Sequence, residues 1–328
     1  MKAFTFLLAI GLFLLINQAN AQWTSQNLKP QSPSLSSVYF TDANTGYAVG
    51  LSGAILKTND AGSSWTALSS GTTYDLYSVY FIDTNTGYAV GGNQDHNSGI
   101  ILKTIDGGAT WTTLLSGITH VLLTVRFTDV NTGYALGEGI TIFKTIDGGT
   151  TWTDLRQVGN GDYNSAYFTD ALTGYAASNF NRYGDISKTV DGGKTWTYIP
   201  NGTRPLYSVF FTDVNTGYAV GGNYFGDKFS VILKTTNGGT NWTTQESANL
   251  YRLWSVYFTD ANTGYAVGDS GTILKTSNGG ADWIIQNSGT SSNLASIFFT
   301  DSNTGYAVGD SGIILKTTNG GGFATGVH

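Results

Sequence analysis

Lys103-Thr104-Ile105-Asp106-Gly107-Gly108-Ala109-Thr110-Trp111 is the stretch on which the rest of the chain turns, because close copies of it recur along its length. It reads as a turn feeding a strand. The aspartate can accept hydrogen bonds from backbone amides just ahead of it, the two glycines accept positive φ, and the tryptophan settles on an apolar surface where a strand begins. The spacing is kept by Thr58, Asp60, Gly62 and Trp65, by Thr145, Asp147, Gly149 and Trp152, and by Thr189, Asp191, Gly193 and Trp196. It is kept again, with asparagine for aspartate, by Thr235, Asn237, Gly239 and Trp242 and by Thr276, Asn278, Gly280 and Trp283.

A second phrase, Phe40-Thr41-Asp42-Ala43-Asn44-Thr45-Gly46-Tyr47-Ala48-Val49-Gly50, alternates with the first, and its first glycine returns at Gly87, Gly133, Gly174, Gly217, Gly264 and Gly305. These seven copies stand 41, 46, 41, 43, 47 and 41 residues apart, the period of a propeller blade rather than of a β-helix coil or a helical repeat. In the second unit, four short segments rich in β-formers read as strands: 76–81 (A), 88–91 (B), 100–104 (C) and 111–115 (D). The A-to-B turn is Asp83-Thr84-Asn85-Thr86-Gly87, the C-to-D turn is the opening stretch, and no segment sustains a helical period. Strand A is apolar on both faces. Val38, Phe40, Val79, Phe81, Val125, Phe127, Val209, Phe211, Val256 and Phe258 line one, and Tyr39, Tyr80, Tyr167, Phe210, Tyr257 and Phe298 the other. A sheet sandwiched between two neighbours has this pattern. The expected fold is all-β, a seven-bladed β-propeller of four-stranded antiparallel blades.

The last unit breaks the pattern. After Asn319-Gly320-Gly321 come Gly322-Phe323-Ala324 and no tryptophan, while an unclaimed Trp23-Thr24 stands near the other end. Residues 23–28 are therefore expected to supply strand D of the blade whose A, B and C strands come from residues 297–317, closing the ring without an open sheet edge. The rival is a truncated seventh repeat. Ahead of Trp23, Lys2, an apolar run over residues 4–16 and Ala19-Asn20-Ala21 before Gln22 read as a secretory signal peptide, residues 1–21. The run is shorter than the ~20 residues a spanning helix needs, and no later segment is long and apolar enough. The expectation is one propeller domain over residues 22–328, a monomer without a membrane span, secreted or held in the periplasm or cell envelope.

The chain has no cysteine, which excludes disulfides, a thiolate nucleophile, a Cys-ligated metal and a lipid-bearing cysteine. Its 44 glycines, 19 tyrosines and 17 phenylalanines suit many short strands and tight turns. A charged fraction of 12% and a net charge of −6 argue against a nucleic-acid partner, which calls for a basic stripe.

Thr-x-Asp-x-Gly-x-Thr-Trp over residues 104–111 is similar to the Asp-box, or bacterial neuraminidase repeat. The fuller unit, with Phe-Thr-Asp before Thr-Gly-Tyr-Ala-Val-Gly and then Ile-Leu-Lys-Thr, resembles the photosystem II stability/assembly factor type of β-propeller across nearly the whole mature chain. That resemblance implies a seven-bladed, non-enzymatic protein that docks another protein, in photosynthetic members through an arginine-rich surface. Here the arginines are five, Arg126, Arg156, Arg182, Arg204 and Arg252, a departure from that surface.

The Asp-box aspartates read as structural. Asp60, Asp106, Asp147 and Asp191 give way to Asn237, Asn278 and Asn319, a swap that keeps the acceptor and loses ionisation. Asp42, Asp83, Asp129, Asp170, Asp213, Asp260 and Asp301 occur in every unit, as do Lys57, Lys103, Lys144, Lys188, Lys234, Lys275 and Lys316. Seven identical pairs point to blade construction, a repeated Asp–Lys contact being one form of it, because a catalytic site breaks symmetry.

Function is expected where the units differ, in the D-to-A and B-to-C connections that share one face of the ring. The candidate binding residues there are Tyr77, Arg156, Tyr163, Arg182, Tyr183, Arg204, Tyr207, Tyr224, Arg252 and Trp254, with Tyr77, Tyr207 and Trp254 rimming the central channel. Aromatic platforms beside arginines suit sugar rings, carboxylates or a peptide, so the partner is expected to be a protein or a glycan; the plainer alternative is variable polar loops. Arg126, which replaces an aromatic in strand A, is expected as a stem packed between blades, the alternative being a channel-lining charge. The enzyme alternative is a sialidase-like glycoside hydrolase, for which Glu246 with Tyr251 would have to act, Glu138 lying in a tight turn. His96, His120 and His328 are too few and scattered for a metal centre, so no metal or other cofactor is expected.

Overall fold

The computed structural model describes residues 22–26, 32–155, 161–180, 183–223, 229–245 and 251–322. They form seven four-stranded antiparallel sheets, each running from an inner strand A to an outer strand D. Strand A of every blade touches strand A of both neighbours, and that of the seventh touches that of the first, so the sheets close a ring around a central channel. In the second blade the strands are Asp75–Phe81, Gly87–Gly92, Gly99–Thr104 and Thr112–Ile118. The last starts after Trp111, whose indole anchors the turn instead of joining the ladder.

The seventh blade is assembled from both ends of the sequence. Its strands lie in the order Thr24–Ser25, Ile314–Thr317, Gly305–Gly309, Leu294–Phe299, with Thr24 opposite Lys316 and Ser25 opposite Leu315. Trp23 is 1% exposed and meets Phe299 edge-on at 5.9 Å, just as Trp111 meets Phe81 at 6.0 Å. The N-terminal segment thus supplies the missing strand and the missing tryptophan; residues 27–28 lie outside the described residues.

Neighbouring blades are joined by one repeated contact set. Tyr47 of the first blade stacks on Phe81 of the second at 4.0 Å, and its hydroxyl donates to Gly107 O at 2.7 Å, inside the second blade's Asp-box. Lys57 donates to the same carbonyl at 2.8 Å. The pair recurs at every junction, through to Tyr306 and Lys316 of the seventh blade on Ala61 O of the first. The contact that each repeated lysine makes is therefore with a backbone carbonyl of the next blade. The repeated aspartates instead close their own A-to-B turns, Asp83 Oδ1 accepting the amides of Asn85 and Thr86 at 2.7 Å. A turn carboxylate so engaged needs no cation, and a backbone carbonyl with two lone pairs can take two donors.

The Asp-box itself behaves as its sequence suggests. Asp106 accepts from the Thr104 hydroxyl at 2.8 Å and from the amide and hydroxyl of Thr110 at 2.8 and 2.6 Å, and Gly108 takes φ +81°. In the sixth blade the position four residues on is Asp282, an acceptor, and the box residue is Asn278, whose Nδ2 donates to it at 2.8 Å. The exchange of aspartate for asparagine keeps the turn bonded while reversing one donor.

Candidate functional site

Each strand A carries one residue too many. In the second blade Leu76 opposes Gly91 and Ser78 opposes Val90, so Tyr77 has no partner across the ladder. The same bulge stands in all seven blades, at Ser36, Tyr77, Leu123, Asn164, Tyr207, Trp254 and Ala295. A bulge kinks the strand and re-aims its extra side chain, and here all seven line one funnel of about 330 Å³ at the channel mouth. The kink needs room on strand B: a Cβ on Gly91 would stand 1.8 Å from Asp75 O.

Three of the seven bulge residues are large aromatics, as the sequence placed them. Trp254 is held by three contacts. Its Nε1 donates to Asp269 Oδ1 at 2.7 Å, its ring meets Tyr207 at 4.5 Å between centroids, and the Arg252 guanidinium lies 4.0 Å from its ring. Arg252 is in turn paired with Asp269, Nη2 to Oδ2 at 3.2 Å, with only 11% of its side chain exposed. Arg252 thus braces the platform and is not a free cation at the surface. Tyr207 backs the tryptophan and is largely covered. Across the funnel, burial pushes the Tyr77 phenol up to about 12, with the Asp75 and Glu138 carboxylates adding to the effect, so Tyr77 remains a neutral hydroxyl at ordinary pH.

Other candidates are placed differently. Tyr163 is a correction: it is 4% exposed, packs near Trp196 and donates to Ser187 Oγ, because it fills the buried position that leucine holds in the other six blades. The funnel residue of that blade is Asn164, whose Nδ2 donates to Leu206 O at 2.8 Å. Aligning the third and fourth units, Leu122-Leu123-Thr124 and Tyr163-Asn164-Ser165, on the Leu-x-Ser step that the other five share would have found it, along with Leu123. Tyr183 is exposed, and Arg204 lies 4.5 Å from the Phe229 ring; neither lines the funnel. Arg156, Arg182 and Tyr224 lie outside the described residues, as does Glu246. Arg126 is the second correction. Its guanidinium faces the channel, 5.8 Å from the Tyr80 ring, because that position of the inner strand points to the axis.

On the same face, His96 Nδ1 and Glu138 Oε1 stand 2.6 Å apart. Among the described residues no group of three or more histidines and carboxylates is arranged to hold a metal ion, and no helix is long and apolar enough to cross a membrane.

Comparison with known proteins fits this architecture. The family model for photosynthesis system II assembly factor YCF48 matches residues 15–117 and 243–318, more than half of the chain. No curated protein matches the sequence significantly. Among solved structures, one described as YCF48 bound to D1 peptide is similar with a TM-score of 0.74 at 20% identity, over 91% of this chain and 97% of that one. YCF48 from Cyanidioschyzon merolae gives 0.74 at 21% identity, over 90% and 99%. A GH74 xyloglucanase from Xanthomonas campestris gives 0.73 at 14% identity, over 93% of this chain and 54% of the enzyme, a likeness of fold alone. The chain belongs to the photosynthesis system II assembly factor YCF48 family.

Proposed function

We propose that this protein is a non-catalytic docking propeller that captures a peptide segment of another protein in the funnel around Trp254, Tyr207 and Tyr77, and that it does so after export. One observation carries the reading. Seven bulges aim seven side chains into one funnel, and the blades differ there, three of them placing large aromatics of which Trp254 and Tyr207 brace each other. Rigid aromatic anchors in a concave, partly desolvated site are what dominate binding energy at protein interfaces. The relative bound to a D1 peptide supports a peptide as the occupant. The docking chemistry differs from an arginine-rich surface, since Arg252 is already held by Asp269. The apolar run and small-residue cleavage site before Gln22 support export.

The test is an immobilised peptide library probed with the wild-type protein, with hits measured again on Trp254→Ala and Tyr207→Ala. Loss of about tenfold or more in affinity is expected for Trp254→Ala, the range of an interface hot spot. Unchanged capture by both folded variants would remove the funnel from the reading. Saturable binding of xyloglucan oligosaccharides instead would make the partner a glycan. Turnover of a sialic-acid substrate, lost on Tyr251→Phe, would make the protein an enzyme.

A further inference from the structure

Below the funnel the channel holds a cavity of about 270 Å³. Six aromatic residues tile its wall as one arc, with centroids 5.1 Å apart from Tyr80 to Tyr39, then 5.2 Å to Phe298, 5.4 Å to Tyr257, 5.3 Å to Phe210 and 5.0 Å to Tyr167. The seventh place, between Tyr167 and Tyr80, belongs to Arg126. A repeat that supplies tyrosine or phenylalanine six times and arginine once sets a single charge in an apolar collar.

That charge is not neutralised by its surroundings. Arg126 Nη1 donates to Val125 O at 3.2 Å, no carboxylate among the described residues pairs with it, and no acidic residue lines the cavity. Four serines line the same space. The Oγ atoms of Ser37, Ser208, Ser255 and Ser296 accept amides of the next blade's strand A at 3.3–3.4 Å. With each oxygen so engaged and, among the described residues, no acceptor for its proton, the hydroxyls are free to donate into the channel. A guanidinium, four available hydroxyl donors and no competing acid make a donor set for an anion. The planar fork suits a carboxylate, and the collar suits an apolar or aromatic body attached to it.

We infer that the channel binds a monovalent carboxylate with an apolar or aromatic body, held by Arg126 and the seryl hydroxyls. Arg126 lies three residues along strand A from Leu123 at the funnel, roughly 10 Å deeper at ~3.3 Å per residue. A free small acid reaches it, and so does the terminal carboxylate of an extended peptide. The site rests on the channel alone and is independent of docking at Trp254.

Two probes test it: 4-fluorobenzoate followed by fluorine NMR, and an apolar tetrapeptide as its free acid and its C-terminal amide followed by calorimetry. Saturable binding of at least one acid is expected, weakened about tenfold or more in Arg126→Tyr, which installs the residue type the other blades carry. Arg126→Gln, close in length and neutral, should lose binding equally, and Trp254→Ala should leave 4-fluorobenzoate binding intact. Binding of the tetrapeptide acid but not its amide assigns the chain terminus as the source; binding of 4-fluorobenzoate alone assigns the free acid. No saturable binding of either acid to the wild type, or equal binding to folded Arg126→Tyr or Arg126→Gln, overturns the site.

Discussion

Gly107 shows how much of this ring is carried by one carbonyl oxygen. It takes the Tyr47 hydroxyl and the Lys57 ammonium together, so removing either donor leaves the oxygen paired. Tyr47→Phe and Lys57→Met should each cost about 1 kcal/mol in urea unfolding, while the double variant should cost more than the sum, because only then is the acceptor orphaned. Strict additivity would mean that the two donors act independently. The same turns set the pH range. Hydrogen bonds from the side-chain hydroxyl and amide four residues on pull Asp60, Asp106, Asp147 and Asp191 down to about 2 from 3.8. A lowered folded pKa stabilises above the unfolded value and is lost as pH falls, here from about 4 toward 2. The strand B tyrosines, among them Tyr47 and Tyr88, behave oppositely. Burial, with nearby turn aspartates, pushes them from 10.0 up to about 12, so their contribution holds below pH 10 and is lost as pH rises toward 12. Unfolding free energy should therefore fall below about pH 4 and above about pH 10, and asparagine at the four box positions should lessen only the acid-side fall, part of which stays with the A-to-B turn aspartates, lowered in the same way.

Among the elements, the N-terminal strand is short yet decisive. Trp23→Ala should cost ~3–5 kcal/mol, as a buried tryptophan does, and calorimetry should place it beside Trp111→Ala; a much smaller loss would mean that closure contributes little to stability. This strand was legible in the sequence because a missing tryptophan at one end matched a spare one at the other. The blades were legible for a similar reason: their packing repeats, so their residues repeat. Bulges were not, since an extra residue changes facing without changing composition. Tyr163 therefore reads in the sequence as a binding-face residue, when Asn164 is the one that projects into the funnel. Arg126 was misplaced because alternation gives a residue's face but not which of two apolar faces looks to the axis. The brace on Trp254 was hidden too, since Asp269 lies on a different turn of the same blade and only the fold brings them within 2.7 Å.

At the scale of the whole molecule, the two faces of the ring have different work. The face of repeated turns is spent on holding blades together, so its residues recur. The opposite face is released from that duty, which is why three blades can place aromatics at the bulge and one strand A can give up its channel aromatic for an arginine. The seam in the seventh blade also orders events in time. Thr24 bonds Lys316 across 292 residues of chain, and synthesis proceeds from the N-terminus at ~5–20 residues per second. The first strand must therefore wait on the order of 15–60 s for its mate. Until then the nascent ring is an open crescent with two raw edges, and whatever holds those edges apart from other chains in that interval decides the yield of finished protein.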